Sequence, residues 1–311
     1  MEKLAIIGSG TMGHSIVLNA AWSGLNVRMY GLNQDDLTKG LEGIKNKLMV
    51  LSQHGLISYK DIEVIQSRIS TSQSIDDTVK GSSFVIECIP EDLSLKQQLF
   101  NHLDKICAPD VILATNTSGL SLSLIASSTK NPERTVVTHF WNPAHLVPLV
   151  EVLRTDKTSE DTFNRTMALL KYMHKKPIEV KKEVPGLVGN RLQFALFREA
   201  QYLLEEGIAS KEDIDAAVTY SIGRRLPVTG PLLSADMGGL DVFAAISDYL
   251  FEDLSKSDRS FPTLKKLVEQ KKMGSKTKNG YYEWNEDFST KVNQAREKEL
   301  IRYLKQDRAI E

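Results

Sequence analysis

Hydrophobic and polar residues are grouped along the first 184 residues in a way typical of strands separated by helices. Short apolar runs are followed by longer segments in which apolar residues recur every three to four positions. The pattern predicts strands at residues 3–7, 27–30, 83–90, 111–116, 135–140 and 176–184, and helices at 14–23, 36–53 and 95–106. Strands that alternate with helices favour a parallel sheet covered by helices.

The pattern changes after Leu187, where strand signals fade and helical periodicity dominates. Helices are predicted at residues 186–207, 211–222 and 239–256. With 311 residues the chain is long enough for two domains, and Val184-Pro185-Gly186 marks a natural boundary. We therefore predict an α/β fold in which a doubly wound sheet, residues 1–184, is followed by an all-α domain, residues 185–311.

Composition narrows the classes of partner. Thirty-nine Lys and Arg balance forty Asp and Glu, so the net charge is −1 and we expect neither a nucleic-acid nor a membrane partner. Cys88 and Cys107 form no CxxC pair, and no metal-binding motif occurs, so we expect no metal. The start of the chain lacks a signal-peptide pattern, and no apolar run is long enough to span a bilayer. We expect a cytoplasmic protein.

A glycine-rich loop follows the first predicted strand directly and leads into a helix. It reads Gly8-Ser9-Gly10-Thr11-Met12-Gly13. In a dinucleotide-binding loop of this spacing, Gly8 makes the tight turn, Gly10 lets the pyrophosphate approach the backbone, and Gly13 lets the helix pack closely. We expect the N–H groups of Thr11 and Met12 at the helix start to face the pyrophosphate.

The end of the second predicted strand lacks the usual carboxylate. In NAD-binding folds an acidic residue there accepts hydrogen bonds from the adenosine ribose and repels a 2′-phosphate. Here the position is Gly31, and Asp35 and Asp36 come later in the chain than that pattern requires. We expect NAD as the cofactor, with Asn33 as a substitute ribose ligand; NADP stays open. Gly31→Asp is then expected to shift preference toward NAD.

A histidine and an isolated carboxylate are the candidates for acid–base chemistry. His139 ends one predicted strand, and Glu151 lies within the apolar run Leu149-Val150-Glu151-Val152. A carboxylate is expensive to bury unless it is paired. Pairing with Glu151 fixes the tautomer of His139 and raises its basicity, which suits a general base near neutral pH. Asn142 follows at a strand end, where ligands bind such folds.

Taken together, these motifs resemble the 3-hydroxyacyl-CoA dehydrogenase family over essentially the whole chain. The order and spacing match at Gly8 to Gly13, Glu91 with Lys96, Asn116-Thr117-Ser118, His139-Phe140-Trp141-Asn142-Pro143, Leu149-Val150-Glu151, Val184-Pro185-Gly186 with Asn190-Arg191, and Lys276-Thr277 before Gly280. The resemblance implies a Rossmann domain followed by a helical dimerisation domain, a homodimer, a role in fatty acid metabolism, and NAD-dependent oxidation of an L-3-hydroxy group.

The resemblance also implies roles for individual residues. His139 is then the base and Glu151 its orienter, while Ser118, Asn142 and Asn190 surround the substrate oxygen. The resemblance further implies that five residues lie along the cofactor: Glu91, Lys96, Ser118, Asn142 and Lys276.

Two readings of the substrate remain open. A short-chain L-3-hydroxyacyl-CoA, similar to 3-hydroxybutyryl-CoA, is slightly favoured. However, residues 48–55 are nearly uncharged where mitochondrial relatives carry a lysine-rich run that meets the CoA phosphates, which leaves Lys45 and Lys47. The alternative is a free 3-hydroxy acid such as L-carnitine or L-gulonate, with Arg224 and Arg225 as possible carboxylate ligands. A non-catalytic role like that of lambda-crystallin is a third reading, which the retained base and orienter disfavour.

Overall fold

The computed structural model describes residues 2–309. Eight strands lie within this part of the chain, and they are β1 Leu4–Ile7, β2 Val27–Tyr30, β3 Ile69–Ser72, β4 Phe84–Glu87, β5 Ile112–Thr115, β6 Thr135–Phe140, β7 Leu149–Leu153 and β8 Lys176–Val180. Helices connect the strands of the first half, and they are α1 Thr11–Trp22, α2 Gln34–Gln53, α3 Tyr59–Ser67, α4 Ile75–Val79, α5 Leu93–Ile106, α6 Leu122–Ala126 and α7 Glu160–Tyr172.

Between β8 and residue 309, helices make up the regular structure, apart from isolated bridges around Asn279. They are α8 Gly189–Glu205, α9 Lys211–Tyr220, α10 Ile222–Arg225, α11 Pro231–Gly238, α12 Leu240–Asp253, α13 Pro262–Glu269 and α14 Glu286–Ala309. Short 3₁₀ turns occur at Pro132–Arg134 and Ser275–Thr277. None of the helices between residues 2 and 309 combines the length and the apolar character that crossing a bilayer demands.

The strands form one sheet in the order β3-β2-β1-β4-β5-β6-β7-β8. Each neighbouring pair is parallel except β6 and β7, which are antiparallel. The prediction of a fully parallel sheet is therefore wrong at this pair. Only eight residues separate β6 from β7, too few for a helical crossover, so the chain reverses and pairs with itself.

The sheet is covered on both faces because successive residues of a strand point in opposite directions. Leu4 and Ile6 of β1 pack in one buried cluster with α1 and α2, and Ala5 and Ile7 pack in a second cluster with α5. The predicted doubly wound sheet followed by helices is confirmed.

The chain divides into two compact units. The N-terminal unit comprises Met1–Asn190 with Arg296–Glu311, and the helical unit comprises Arg191–Ala295. We expected two contiguous segments divided at residue 184. The difference arises at the C-terminus, where Ile301 and Leu304 of α14 belong to the buried cluster that contains α1.

Candidate active site

The glycine loop is shaped by close approaches of its own backbone. Gly8 has φ +121°, and a Cβ built there would lie 2.7 Å from the carbonyl oxygen of Cys88. A Cβ on Gly13 would lie 1.9 Å from the carbonyl oxygen of Gly8. Neither position accepts a side chain, so α1 starts directly against β1 as the loop spacing predicts.

The first turn of α1 has the features of an anion site. Gly10 is the N-cap residue and supplies no side-chain cap, and a Cβ on Gly10 would meet nothing within 4 Å. α1 begins at Thr11, three residues earlier than predicted, so the N–H groups of Thr11 and Met12 lie in its first turn. Unsatisfied N–H groups and the positive end of the helix dipole favour a phosphate here.

A cavity of about 990 Å³ opens beside this loop. The predicted ligands Gly8, Gly10, Thr11 and Met12 lie on its wall. The other lining side chains come from β2, α2, α4 and the β4–α5 region, and they include Tyr30, Leu32, Asp36, Lys39, Ile75, Leu95, Gln98, Leu99 and His102. The size and the glycine wall fit an extended dinucleotide.

The end of β2 differs from what the sequence suggested. The side-chain Oδ1 of Asn33 accepts a hydrogen bond of 2.9 Å from the backbone N–H of Asp36 and caps α2, and Asn33 is not among the residues that line the cavity. Asp36, set aside because of its distance along the chain, does line it. The sequence contained one signal for this position of Asp36. Asn33 is a good N-cap residue, and the first turn of the helix that it starts brings Asp36 back toward the end of β2.

Gly31 is buried and tightly surrounded. A Cβ built on it would lie 2.6 Å from Cδ2 of Leu37 and 3.2 Å from Oγ of Ser9. Replacing Gly31 with Asp therefore disturbs the packing of α2 before it can test cofactor choice. This is a correction to the substitution that the sequence suggested.

Glu91 and Lys96 belong to a network of ion pairs behind the loop after β5. Nζ of Lys96 lies 2.6 Å from Oε1 of Glu87 and 3.3 Å from Oε2 of Glu91. Glu87 also accepts hydrogen bonds from the Thr115 hydroxyl and the Ile89 N–H. Because Lys96 is only 1% exposed, its role at the site is to hold Glu91 in place through their ion pair. Glu87, an isolated carboxylate in an apolar strand, is a residue that the sequence reasoning missed.

Glu91 in turn orders the segment that carries Ser118. Its Oε1 accepts hydrogen bonds from the Thr117 hydroxyl at 2.5 Å and the Ser118 N–H at 2.9 Å. Burial alone raises the pKa of Glu91, but the Thr117 hydroxyl and the Lys96 ammonium hold it below its ordinary value. The exposed Ser118 side chain thus sits on a well-fixed turn.

His139 and Glu151 lie opposite each other in the antiparallel pair of β6 and β7. Nδ1 of His139 is 2.8 Å from Oε2 of Glu151, and both side chains are buried. The contact that the sequence pattern suggested is present, and it depends on the strand reversal that the pattern missed. With Nδ1 bonded to the carboxylate, Nε2 is the nitrogen left for a reacting group.

The Glu151 carboxylate receives four hydrogen bonds. Besides His139, the donors are the Trp141 indole at 3.1 Å to Oε2, and the backbone N–H groups of Val188 and Gly189 at 2.8 and 3.0 Å to Oε1. Burial raises the pKa of Glu151, but these four donors, His139 foremost, lower it below its usual value. Glu151 is therefore a carboxylate that both orients His139 and binds the start of α8.

The strand ends beside His139 are joined by Asn116. Its Oδ1 accepts a hydrogen bond of 2.9 Å from the Phe140 N–H, which ties the loop after β5 to the end of β6. Ser118 follows two residues after Asn116, and the exposed Asn142 follows two residues after Phe140. Ser118, His139 and Asn142 thus belong to the carboxyl ends of two neighbouring parallel strands, where ligands bind doubly wound sheets.

The two remaining predicted ligands lie further along the chain. Asn190 is half-buried in the first turn of α8, next to Gly189, and so follows directly on the segment that Glu151 holds. Lys276 is exposed on the 3₁₀ turn Ser275–Thr277 of the helical unit.

Comparisons with known proteins identify the family of the chain. Residues 3–184 match the family model described as 3-hydroxyacyl-CoA dehydrogenase, NAD binding domain, and residues 186–284 match its C-terminal domain. The chain is 38% identical over 284 residues to the 3-hydroxybutyryl-CoA dehydrogenase of Clostridioides difficile, covering 91% of this chain and 99% of the relative.

Other similar proteins include one whose name gives a different substrate. The chain is 32% identical over 304 residues to the 5-formyl-3-hydroxy-2-methylpyridine 4-carboxylate 5-dehydrogenase of Mesorhizobium japonicum, covering 97% of this chain and 96% of the relative. A crystal structure of an enzyme of that name has a TM-score of 0.90, with 98% of this chain and 99% of that chain covered. The (S)-3-hydroxybutyryl-CoA dehydrogenase of Ralstonia eutropha has a TM-score of 0.76 at 34% identity, covering 92% and 100%. The chain belongs to the 3-hydroxyacyl-CoA dehydrogenase family of nicotinamide-dependent oxidoreductases.

Proposed function

We propose that this protein oxidises the C3 hydroxyl of a short-chain L-3-hydroxyacyl-CoA, similar to 3-hydroxybutyryl-CoA, with NAD as the cofactor. The buried His139–Glu151 pair, 2.8 Å apart, is the observation that carries the proposal. A buried carboxylate bonded to one ring nitrogen is what a histidine needs to accept a proton repeatedly at the other. A purely structural protein has no use for this arrangement.

The residues of the chain divide the work of the reaction. Nε2 of His139 accepts the proton of the substrate hydroxyl, and Glu151 stabilises the imidazolium that results. Ser118, Asn142 and Asn190 supply hydrogen bonds to the substrate oxygen as it becomes a carbonyl. Glu91 and Lys96 keep Ser118 in place through the ordered turn at residues 117–119.

The residues present fit a nicotinamide dinucleotide. The open backbone at Gly10 and the N–H groups of Thr11 and Met12 would hold its pyrophosphate, and Gly8 and Gly13 make that approach possible. When bound, the nicotinamide supplies the acceptor for the hydride that leaves C3. Glu91 and Lys276 remain predicted cofactor ligands.

A second candidate substrate is a free carboxylic acid that carries the reacting group. Residues 48–58, which run from the end of α2 to the start of α3, contain no lysine or arginine for CoA phosphates, and Nζ of the half-buried Lys47 lies 2.8 Å from Nε2 of His14. Of the two lysines Lys45 and Lys47, this leaves Lys45 as the one available to a CoA phosphate. The relative that acts on a pyridine carboxylate also matches almost the full length of the chain. Both observations favour an acid without CoA.

A substrate panel separates the two candidates. The purified protein is mixed with NAD and, separately, L- and D-3-hydroxybutyryl-CoA, L-carnitine, L-gulonate and the pyridine 4-carboxylate, and reduced nicotinamide is followed by absorbance. The proposal expects kcat/KM to be highest for L-3-hydroxybutyryl-CoA, and His139→Ala to abolish the signal. Preference for any of the free acids establishes the second candidate. Failure of all substrates, with cofactor binding intact, points to the non-catalytic reading.

We also infer that the protein works as a homodimer. The helical unit exposes large apolar side chains on α11 and α12, among them Leu232 (85% exposed), Met237 (73%) and Phe251 (64%). Several large apolar side chains exposed on neighbouring helices of the chain are typical of an interface between subunits. The cytoplasmic location expected from the sequence stays a prediction, which fractionation of the source cells can check.

A further inference from the structure

The choice between NAD and NADP needs a group that recognises the adenosine ribose, and the usual position for it is closed. A side chain at Gly31 would collide with Leu37, whose Cδ2 lies 2.6 Å from a Cβ built there. As α2 is packed against the end of β2, a carboxylate at position 31 would not fit.

The same close packing of α2 brings the carboxylate of Asp36 to the cavity beside the end of β2. A Cβ on Gly40 would lie 3.1 Å from the carbonyl oxygen of Ser9, so this face of α2 touches the glycine loop. Asp36 precedes Gly40 by four residues and so lies one turn earlier on that face. Asp36 lines the cavity together with Tyr30 at the end of β2 and Ser9 and Gly10 of the loop.

The backbone and side chain of Asp36 have different surroundings. Its N–H donates to Oδ1 of Asn33. Among residues 2–309, by contrast, the structure gives its carboxylate no hydrogen-bond or ion-pair partner, although the residue is only half-exposed. A carboxylate that is held by its helix, faces a nucleotide-sized cavity and lacks a partner is suited to accept hydrogen bonds from a diol.

We propose that Asp36 is the cofactor-specificity residue of this protein: it accepts hydrogen bonds from the 2′- and 3′-hydroxyls of the adenosine ribose and repels a 2′-phosphate. It takes over, from the first turn of α2, the role that a carboxylate at the end of β2 has in other folds of this type. The Asn33 cap accepts the N–H of Asp36, so this N–H is not free to donate to a phosphate.

Lys39 is the one cationic side chain of α2 on the cavity wall, and it would favour a 2′-phosphate if it governed the choice. It lies three residues after Asp36, on the next turn of the helix, so the two side chains compete for the same end of the nucleotide. The proposal assigns the deciding role to Asp36, and variants of each residue distinguish the two assignments.

The inference rests on the proposed function only through its nicotinamide cofactor, so it is tested by binding alone, without a hydroxy substrate. NADH and NADPH are titrated by calorimetry into the wild type, Asp36→Asn, Lys39→Met and Asp35→Asn. Asp35→Asn is the matched control, since it removes the same charge from the same helical turn at an exposed position that does not line the cavity.

The wild type is expected to bind NADH more tightly than NADPH. Asp36→Asn is expected to weaken NADH about tenfold and to narrow the ratio of the two dissociation constants by about tenfold or more, as loss of a charged hydrogen-bond acceptor predicts. Binding of NADPH by this variant, no weaker than in the wild type, demonstrates that it is folded. Asp35→Asn is expected to leave the ratio within about twofold.

Three outcomes overturn the assignment. They are an unchanged ratio in Asp36→Asn, an equal change in Asp35→Asn, and a wild type that prefers NADPH and loses that preference in Lys39→Met. A failure of the substrate panel with NADH binding intact would reject the proposed reaction and leave this inference standing. The failures of the two proposals are therefore distinguishable.

Discussion

The two units differ in how much apolar surface they bury. Almost all of the large apolar side chains that are buried in the described residues lie in the N-terminal unit, Met1–Asn190 with Arg296–Glu311. In the helical unit, Arg191–Ala295, the only buried one is Ile214. The N-terminal unit also contains three buried pairs of ionisable side chains, namely Lys96 with Glu87, Arg134 with Asp104, and His139 with Glu151. The helical unit instead exposes apolar faces along α11 and α12.

The proposed base pair and the cavity beside the glycine loop thus lie within one well-packed unit, whereas the helical unit leaves large apolar side chains exposed. Each large apolar side chain buried rather than exposed contributes about 1.5–3 kcal/mol. A unit that exposes many of them gains stability from a partner surface, whereas the His139–Glu151 pair needs none.

The largest expected effect lies in the N-terminal unit. His139→Ala removes the proposed base, whose Nδ1 lies 2.8 Å from the buried Glu151 carboxylate, so kcat is expected to fall by about 10²- to 10⁴-fold. NADH binding is expected to stay within about twofold, because His139 does not line the glycine-loop cavity. Steady-state kinetics and calorimetry measure the two. Near-normal turnover would remove His139 from the reaction.

Glu151→Gln is expected to lower kcat on the order of tenfold to a thousandfold, because the amide orients His139 but does not stabilise the imidazolium. For the same reason the acidic limb of the rate profile is expected to move to lower pH. The control is Glu179→Gln, a partly exposed carboxylate on the neighbouring β8. An unchanged profile in Glu151→Gln would contradict the role of this carboxylate as a charged partner.

Much of the N-terminal unit could be predicted because its signals are local. Apolar runs gave β1, β2, β4, β5 and β6, and the glycine spacing gave the loop, since strand burial and backbone sterics depend on neighbouring residues. β3 was missed because three of the four residues of Ile69–Ser72 are polar. β7 was recognised only as an apolar run, and its antiparallel direction was missed because strand direction depends on pairing, which periodicity does not report.

The limits of prediction at the site have the same origin. Glu151 was paired correctly with His139, since a carboxylate in an apolar run demands a partner, and that rule would also have found Glu87. Its bonds to Val188 and Gly189 could not be predicted, because they join segments 37 and 38 residues apart. The position of Asp36 depends on the close contact between α2 and the glycine loop, which only the folded chain shows.

The exposed apolar side chains of the helical unit lead to a separate prediction about assembly. Tyr249→Asp with Phe251→Asp, at positions 66% and 64% exposed on α12, is expected to convert a dimer into the 34.8 kDa monomer, because two charges would be buried at the interface. The control is Tyr59→Asp on α3, which is 71% exposed in the N-terminal unit and is expected to leave the mass unchanged. Light scattering at micromolar concentration measures both. A monomeric wild type would contradict the inference that the exposed apolar side chains of the helical unit form a dimer interface.

The smallest expected effect tests how completely the N-terminal unit satisfies its buried charges. Lys175 is 4% exposed, and its Nζ donates hydrogen bonds to the carbonyl oxygens of Ala144 and Val147, with no carboxylate beside it in the described chain. Burial, with a smaller contribution from Arg308, lowers the pKa of Lys175 to about 7. Between that value and the ordinary value near 10.5, the unfolded chain binds more protons than the folded one.

Stability is therefore expected to rise with pH in this window. The contribution of Lys175 to the free energy of unfolding should increase by on the order of 1 kcal/mol per pH unit from pH 7 to pH 9, because the neutral amine avoids the penalty of a buried ammonium. Urea unfolding at pH 7, 8 and 9 compares the wild type with Lys175→Met, whose dependence on pH should be flatter by that amount. Lys171→Met, on an exposed position of α7, should keep the slope of the wild type. If the curves of the wild type and Lys175→Met run parallel, Lys175 stays charged when buried, and its two carbonyl contacts suffice to solvate an ammonium in this unit.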